Sequence, residues 1–179
     1  LDGRHRLTGE GLPDIEAIIE RTHAMQHEEI LHVLHNSKFF RNLADDHLQK
    51  VAPLCEEVSL EAGEWVFTQG DYGEHLFIIV EGYIHLERAM TVGEREGHVI
   101  IDTLGRGRTL GCWSALLGEA HTLMSGAVCE KPSLLLKIKG NDLRRMMTAD
   151  IEFGFEVMQR LCLLLRDRIQ AAYGAMDRF

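Results

Sequence analysis

From Val58 to Gly140 apolar and polar residues alternate in short runs closed by glycine, whereas on either side the apolar spacing is three and four residues. One kind of element cannot satisfy both patterns, because a strand turns its side chains over every second residue and a helix about every 3.6. The alternating runs are VSLEAGEWVFTQGDYGEHLFIIVEGYIHLERAM, HVIIDTLGRG and AVCEKPSLLLKIKG. Strands this short, separated by turns this frequent, describe a small β-roll or barrel. Glycines such as Gly63, Gly82 and Gly107 stand where the chain has to turn and are architectural. The expected fold class is mainly β with helices, an α+β chain whose roll is flanked at both ends.

The flanks divide as follows. Residues 1–12 are polar and without period, which predicts a flexible tail. Residues 13–57 carry N-terminal helices. Pro13 and Asp14 introduce Ile15, Ile18 and Ile19, followed by Ile30, Leu31 and Leu34; a second helix holds Leu43, Leu48, Val51 and Leu54 until Pro53 and the Glu56-Glu57 pair disrupt it. The roll takes 58–140, and 141–179 are C-terminal helices, with Asn141 placed to cap NDLRRMMTAD. From Ile151 onward, Ile151, Phe155, Met158, Cys162, Leu165, Ile169, Ala172 and Met176 follow steps of four and three, the seam of a two-stranded coiled coil. Val157, Leu161 and Leu164 form a second stripe that can rest on the roll. One roll would not cover both stripes, so the long helix is expected to form a homodimer interface; burial within one protomer is the alternative.

Charge and motifs narrow the chemistry. The 179 residues carry a net charge of -9, opposite to what contact with a phosphate backbone requires, so no direct nucleic-acid partner is expected. Cys55, Cys112, Cys129 and Cys162 are widely spaced with no Cys-x-x-Cys pair, and are read as reduced, mostly buried thiols. No apolar stretch approaches the roughly 20 residues that span a bilayer, and LDGRHRLTGEG lacks the apolar core of a signal peptide, so a cytoplasmic, membrane-free protein is expected. No Gly-x-Ser-x-Gly elbow, Walker loop or His-Glu-x-x-His is present, and an enzyme is not expected.

The stretch Ala62 to Leu86, AGEWVFTQGDYGEHLFIIVEGYIHL, resembles the Gly-Glu, Gln-Gly-Asp and Leu-Phe-x-Ile-x-x-Gly succession of the cyclic-nucleotide-binding superfamily, in its catabolite-activator and fumarate-nitrate-regulator branch. Leu104-Gly105-x-Gly107 followed by LGCWSALL is similar to the approach to that family's phosphate cassette. The resemblance covers about Phe39 to Arg178. It implies a jelly-roll-like double-stranded β-helix with N-terminal helices and a long C-terminal dimerisation helix. In transcription-factor members a helix-turn-helix follows that helix; here the sequence stops at Phe179, so a short single-domain member without a DNA-binding domain is expected, with a regulatory module excised from a longer chain or a dimerising protein partner as alternatives.

Within residues 107–128, GRTLGCWSALLGEAHTLMSGAV, the candidate ligand-binding residues are Gly111, Cys112, Trp113, Ser114, His121, Met124 and Ser125. Nucleotide-binding relatives hold the ribose hydroxyl with a Glu and the cyclic phosphate with an Arg. Aligned on Gly111, the Glu position falls on Cys112; aligned on Ala115-Leu116-Leu117, it falls on Trp113. The Arg position falls on Met124 counted back from Ala127-Val128, or on His121 counted forward from Cys112. None of these accepts as a carboxylate does or pairs bidentately as a guanidinium does. A degenerate cassette with weak or no cyclic AMP or cyclic GMP binding is expected. Arg106 or Arg108 folding over the cassette, or a protonated His121, are substitutes for the missing charge. Trp113 either walls a planar ligand or fills the core.

Two other chemistries are legible. Glu28, His32 and His35 share a helix face and are competent ligands for a first-row metal, although a solvated His-rich face has the same pattern. A haem sensor would draw an axial ligand from His35, His75, His85 or Cys112. The leading reading is a non-enzymatic sensory domain with a small-molecule effector. A ligand-free dimerisation or scaffold module and a haem or metal sensor are the alternatives.

Overall fold

A computed structural model describes residues 24–92, 95–111, 113–116, 118 and 121–176. The flexible tail expected at 1–12 and the first helical turns around Ile15, Ile18 and Ile19 lie outside them. Helix α1 (His27–Asn36) starts on a capping box in which the Gln26 backbone N–H donates to Glu29 Oε2 at 2.7 Å, and α2 (Asp45–Val51) runs into a 3₁₀ turn, Ala52–Leu54. Ten strands follow: β1 (Cys55–Leu60), β2 (Trp65–Phe67), β3 (Tyr72–Gly73), β4 (His75–Glu81), β5 (Ile84–Val92), β6 (Arg95–Leu104), β7 (Thr109–Gly111), β8 (His121–Thr122), β9 (Gly126–Cys129) and β10 (Ser133–Lys139). The chain ends in α3 (Gly140–Ala149) and α4 (Ile151–Met176).

The strands form two four-stranded antiparallel sheets, ordered β1-β10-β4-β7 and β2-β9-β5-β6, with β3 and β8 as a small third pair. This is the jelly-roll-like roll with helices at both ends. Strand β4, HLFIIVE, shows why its sequence is nearly continuous in apolar residues. Phe77 and Ile79 point into the roll with Ile84, Leu86, Leu104 and Leu135, whereas Leu76 and Ile78 point outward into the helical cluster with Leu34, Phe40, Val51 and Phe153. Both faces of β4 are covered, so alternation of polar and apolar residues disappears there. Burial pushes the Cys55 thiol up to about 12, which leaves it unreactive.

Three expectations are corrected. Strand β1 begins at Cys55, three residues ahead of the change of period at Val58, because Cys55 already pairs with Ile138 of β10. Asn141 does not cap α3: the helix starts at Gly140, whose N–H donates to Glu74 O at 2.8 Å, and the cap position falls on Lys139 with no side-chain cap bond. Cys162 is exposed on α4 and does not share the burial of Cys129.

Helix α4 buries Phe153, Val157 and Leu161, and Leu164 packs partly against the same cluster. Its start is held by Asp150, whose Oδ1 accepts the Phe153 N–H at 3.1 Å and whose Oδ2 lies 3.2 Å from Nε2 of buried His47. The Phe153 backbone donor above all, with His47 and Lys50 adding to it, holds the Asp150 carboxyl below its usual range. The stability this carboxylate contributes is therefore complete above the ordinary aspartate value of about 3.9 and is lost as pH falls through the lower folded-state value. In urea unfolding followed against pH, Asp150→Ala should fall below the wild type at neutral pH, the gap narrowing below about pH 4; a gap independent of pH would contradict this account of the cap.

Candidate functional site

The cassette is built between the roll and the helices. Strand β7 ends at Gly111, where φ is +120° and a Cβ would stand 2.3 Å from His75 O of the neighbouring β4. Only a residue without a side chain lets the backbone approach that closely. Cys112 lies outside the described residues, and Trp113–Leu116, including Ser114, form a 3₁₀ turn. Leu116 is buried in the helical cluster. Trp113 is half-buried and packs against the same cluster, its ring 5.7 Å from that of Phe39.

Beyond the turn, Gly118 adopts φ +76°, and a Cβ there would sit 1.1 Å from Arg144 Nη1. The guanidinium of α3 thus rests on the C-terminal side of the cassette turn, where carbonyls favour a cation. Strand β8 pairs His121 with Gly73 and Thr122 with Tyr72. His121 is exposed, Ser125 is half-buried, and Met124 is 64% exposed. Backbone bonds tie this arm to the preceding turn: Gly70 N–H donates to Leu123 O and Leu123 N–H to Asp71 O, each at 2.8 Å. Asp71 in turn accepts from the Thr68 hydroxyl at 2.6 Å and the Thr68 N–H at 3.1 Å, and Gln69 Oε1 accepts the Ala89 N–H at 2.8 Å. The Thr68 hydroxyl, and after it the Thr68 N–H, hold the Asp71 carboxyl below its usual range. The Gln-Gly-Asp motif is therefore a brace for the cassette arm.

The structure does not fold Arg106 or Arg108 over the cassette. Arg106 borders a hollow of about 310 Å³ beside His32 and Asn36 of α1. Arg108 turns toward α4, with Nη2 3.6 Å from Asp102 Oδ2. The metal candidates are not brought together either. His32 Nε2 lies 3.3 Å from Asn36 Nδ2, His35 Nε2 lies 3.6 Å from Asp45 Oδ1, and no group of three or more His, Cys, Asp or Glu side chains among the described residues could hold a metal. Of the haem candidates, His75 is on β4 and His85 on β5, where its Nδ1 is 3.0 Å from Thr103 Oγ1. Burial, and secondarily the Lys137 ammonium, holds the His75 imidazole below its ordinary value.

On α4 the seam faces outward in large part: Ile151 is 83% exposed, Phe155 64% and Ile169 56%, with Cys162, Leu165 and Met176 also exposed and Met158 and Ala172 half-buried. Tyr173, which the heptad count passes over in favour of Ala172, is exposed on the same helix. No helix among the described residues is long and apolar enough to cross a membrane.

A family profile described as "Cyclic nucleotide-binding domain" matches residues 57–150. Among curated proteins, a cGMP-dependent protein kinase of Caenorhabditis briggsae is 28% identical over 104 residues, which cover 58% of this chain and 14% of the kinase; the chain spans only that small part of its relative. Among solved structures, a cyclic nucleotide-binding domain from Methylobacillus flagellatus superposes with a TM-score of 0.69 at 20% identity, over 83% of this chain and 80% of that one. A cyclic nucleotide-binding-like protein from Brucella abortus superposes with a TM-score of 0.53 at 27% identity, over 66% and 97%. The first of these, at such low identity, shows a common fold alone.

The two glycines give a graded test of how the cassette is held. Gly118→Ala meets the mobile end of Arg144 and a positive φ, so an equilibrium unfolding loss of about 1 kcal/mol is expected. Gly111→Ala meets backbone that cannot swing aside and should cost more, about 2 to 3 kcal/mol. Equal losses at the two positions would show that Arg144 is as rigidly fixed as the strand.

Proposed function

Because the chain belongs to the cyclic nucleotide-binding domain family, we propose that it is a non-enzymatic, cytoplasmic, homodimeric sensory domain whose diverged cassette binds cyclic AMP and cyclic GMP weakly or not at all. The observation that carries this reading is the fate of the two charge positions. Trp113, one of the two residues that stand for the ribose-binding Glu, is half-buried against the helical cluster, and His121 and Met124, the two that stand for the phosphate-binding Arg, are exposed on the cassette arm. Loss of a bidentate Arg–phosphate pair weakens binding by about 2 to 3 kcal/mol, or roughly two orders of magnitude in affinity. A less anionic effector suits such a cassette better than a cyclic nucleotide does.

Signalling would run from the cassette to α4. Leu116 of the cassette turn shares one packed cluster with Leu143 of α3 and with Phe153, Val157 and Leu161 of α4, and Arg144 joins α3 to Gly118. A displaced cassette has to move these helices, biasing a two-state dimer through the seam of α4. A second reading, a dimerisation module with no effector, draws support from the apolar side chains of Phe77, Ile79, Leu86 and Leu104 that pack between the two sheets.

Calorimetric titration of the purified protein with cyclic AMP and with cyclic GMP should show no binding tighter than the high micromolar range; micromolar or tighter binding of either would sink the proposal. The dimer is tested separately. Light scattering should give twice the chain mass for the wild type and the chain mass for Ile169→Glu, a substitution at an exposed position that leaves the circular dichroism of the folded protomer unchanged. A wild-type monomer at high micromolar concentration would remove the dimer from the proposal and leave the cassette reading standing.

A further inference from the structure

A hollow of about 170 Å³ opens where the turn after α1, the start of β7 and the second half of α4 meet. Lys38 and Arg41 come from the turn, Arg108 from the loop before β7, and Arg160 and Arg166 from α4; Asp167 is the single carboxylate among the lining residues. Five cations against one acid leave four positive charges in excess, in a chain whose overall charge is -9. Such a concentration is the reverse of the surface average and is not explained by ion pairing. Among the described residues Lys38, Arg41 and Arg160 have no carboxylate within ion-pair distance; Arg166 is satisfied by Asp167 at 2.9 Å, and Arg108 pairs with Asp102 Oδ2 at 3.6 Å.

The electrostatic background adds to the excess. Behind the hollow, Arg168 donates to Asp102 Oδ2 at 2.7 Å and to Thr109 O at 2.8 Å, so it occupies the same carboxylate oxygen that Arg108 approaches. Burial, and after it the neighbouring Arg108 charge, lowers the Arg168 pKa, and Arg166, with Arg108 and Lys38 contributing, holds the Asp167 carboxyl below its usual range. A second, independent feature adjoins the hollow. Thr109 lines the hollow, is 1% exposed, and its hydroxyl is buried without a hydrogen-bond partner among the described residues. An unpartnered buried hydroxyl beside crowded guanidinium groups is a donor in want of an acceptor.

We propose that this hollow is a binding site for a compact phosphate-bearing polyanion, either free pyrophosphate or the diphosphate end of a nucleotide, held by Lys38, Arg41, Arg108, Arg160 and Arg166 with the Thr109 hydroxyl as a further donor. The size sets the class: the hollow is smaller than the roughly 300 Å³ of a site that engulfs a drug-sized ligand, so a compact anion or the anionic end of a larger molecule enters it. The charge sets the number of phosphates, since a lining with four positive charges in excess, three of them on side chains without a carboxylate partner, matches a diphosphate and exceeds what one carboxylate or one orthophosphate neutralises. Guanidinium forks favour phosphate oxygens over point-like acceptors. The hollow is framed by α4, the α1–α2 turn and the Arg108-Thr109 entry to the cassette, and an anion there would tie three separate elements together.

The test is calorimetric titration of the full chain with inorganic pyrophosphate, orthophosphate, adenosine diphosphate and sulfate at matched ionic strength. Pyrophosphate or adenosine diphosphate is expected to bind at least tenfold more tightly than orthophosphate or sulfate and to raise the melting temperature. Tighter binding of pyrophosphate identifies the free anion as the source, and tighter binding of adenosine diphosphate the nucleotide end. Arg41→Gln with Arg160→Gln should reduce the affinity at least tenfold, and Lys38→Gln alone should reduce it less, in variants whose melting temperature without ligand is no lower than that of the wild type. Absence of binding, equal binding of all four anions, or an affinity that survives the double substitution in folded protein would overturn the proposal.

Discussion

The structure depends on two central strands that are covered on both faces. Strands β4 and β10 sit side by side in the middle of β1-β10-β4-β7, and each sends alternate side chains in opposite directions. Ile79 and Leu135 fill the roll; Ile78, Leu136 and Ile138 fill the cluster beneath the helices. Full burial of an aliphatic side chain contributes about 1.5 to 3 kcal/mol, so the helices are not ornaments on an independent β domain. Remove them and the outer faces of β4 and β10 are exposed to water. The roll and the helices are one cooperative unit, and any signal that moves the helices has to move against this packing.

The cassette inherits that constraint. It leaves β7 at Gly111, where a side chain would strike the backbone of β4, and it returns to the roll through β8 and β9. Between those anchors its turn is packed from the helix side by Leu116 and Trp113 and touched by Arg144. Trp113, half-buried against the helical cluster, therefore couples the cassette to the helices.

How much of this was legible in the sequence follows from which interactions are local. The glycine-closed alternating runs mark the strands of the roll, and the steps of four and three from Ile151 mark α4, because both are periodicities of a single element. The motif Gln69-Gly70-Asp71 reads as a signature, yet its work as a brace between the Thr68 turn and the cassette arm is visible only once Leu123 is brought to Asp71. Asn141 reads as the cap of α3 in the sequence, because the bond from Gly140 to Glu74 that replaces a side-chain cap is a tertiary contact. Arg144 carries no sequence signal: it is 26 residues past Gly118, and nothing in its spacing announces that α3 folds back over the cassette turn. Cys162 follows the heptad count, exposed with the rest of the outward seam.

The cationic hollow is the extreme case of a feature that no window of sequence contains. Lys38 and Arg166 are far apart in the chain, and each alone reads as a solvated residue on an acidic protein. Their convergence carries a repulsive cost that falls on the fold: Asp102 is shared between two guanidinium groups and Asp167 is committed to Arg166, so the remaining charges repel one another across a small volume. Screening by salt reduces such repulsion within a Debye length of about 8 to 10 Å, but less effectively where the groups are partly buried, as Arg168 is. A chain with 28 acids to 19 lysines and arginines had many carboxylates with which to neutralise this corner. That Asp167 is the one carboxylate among the described residues lining it, and that a buried threonine hydroxyl in the same place has no partner among the described residues, are separate observations that a bound anion would resolve together.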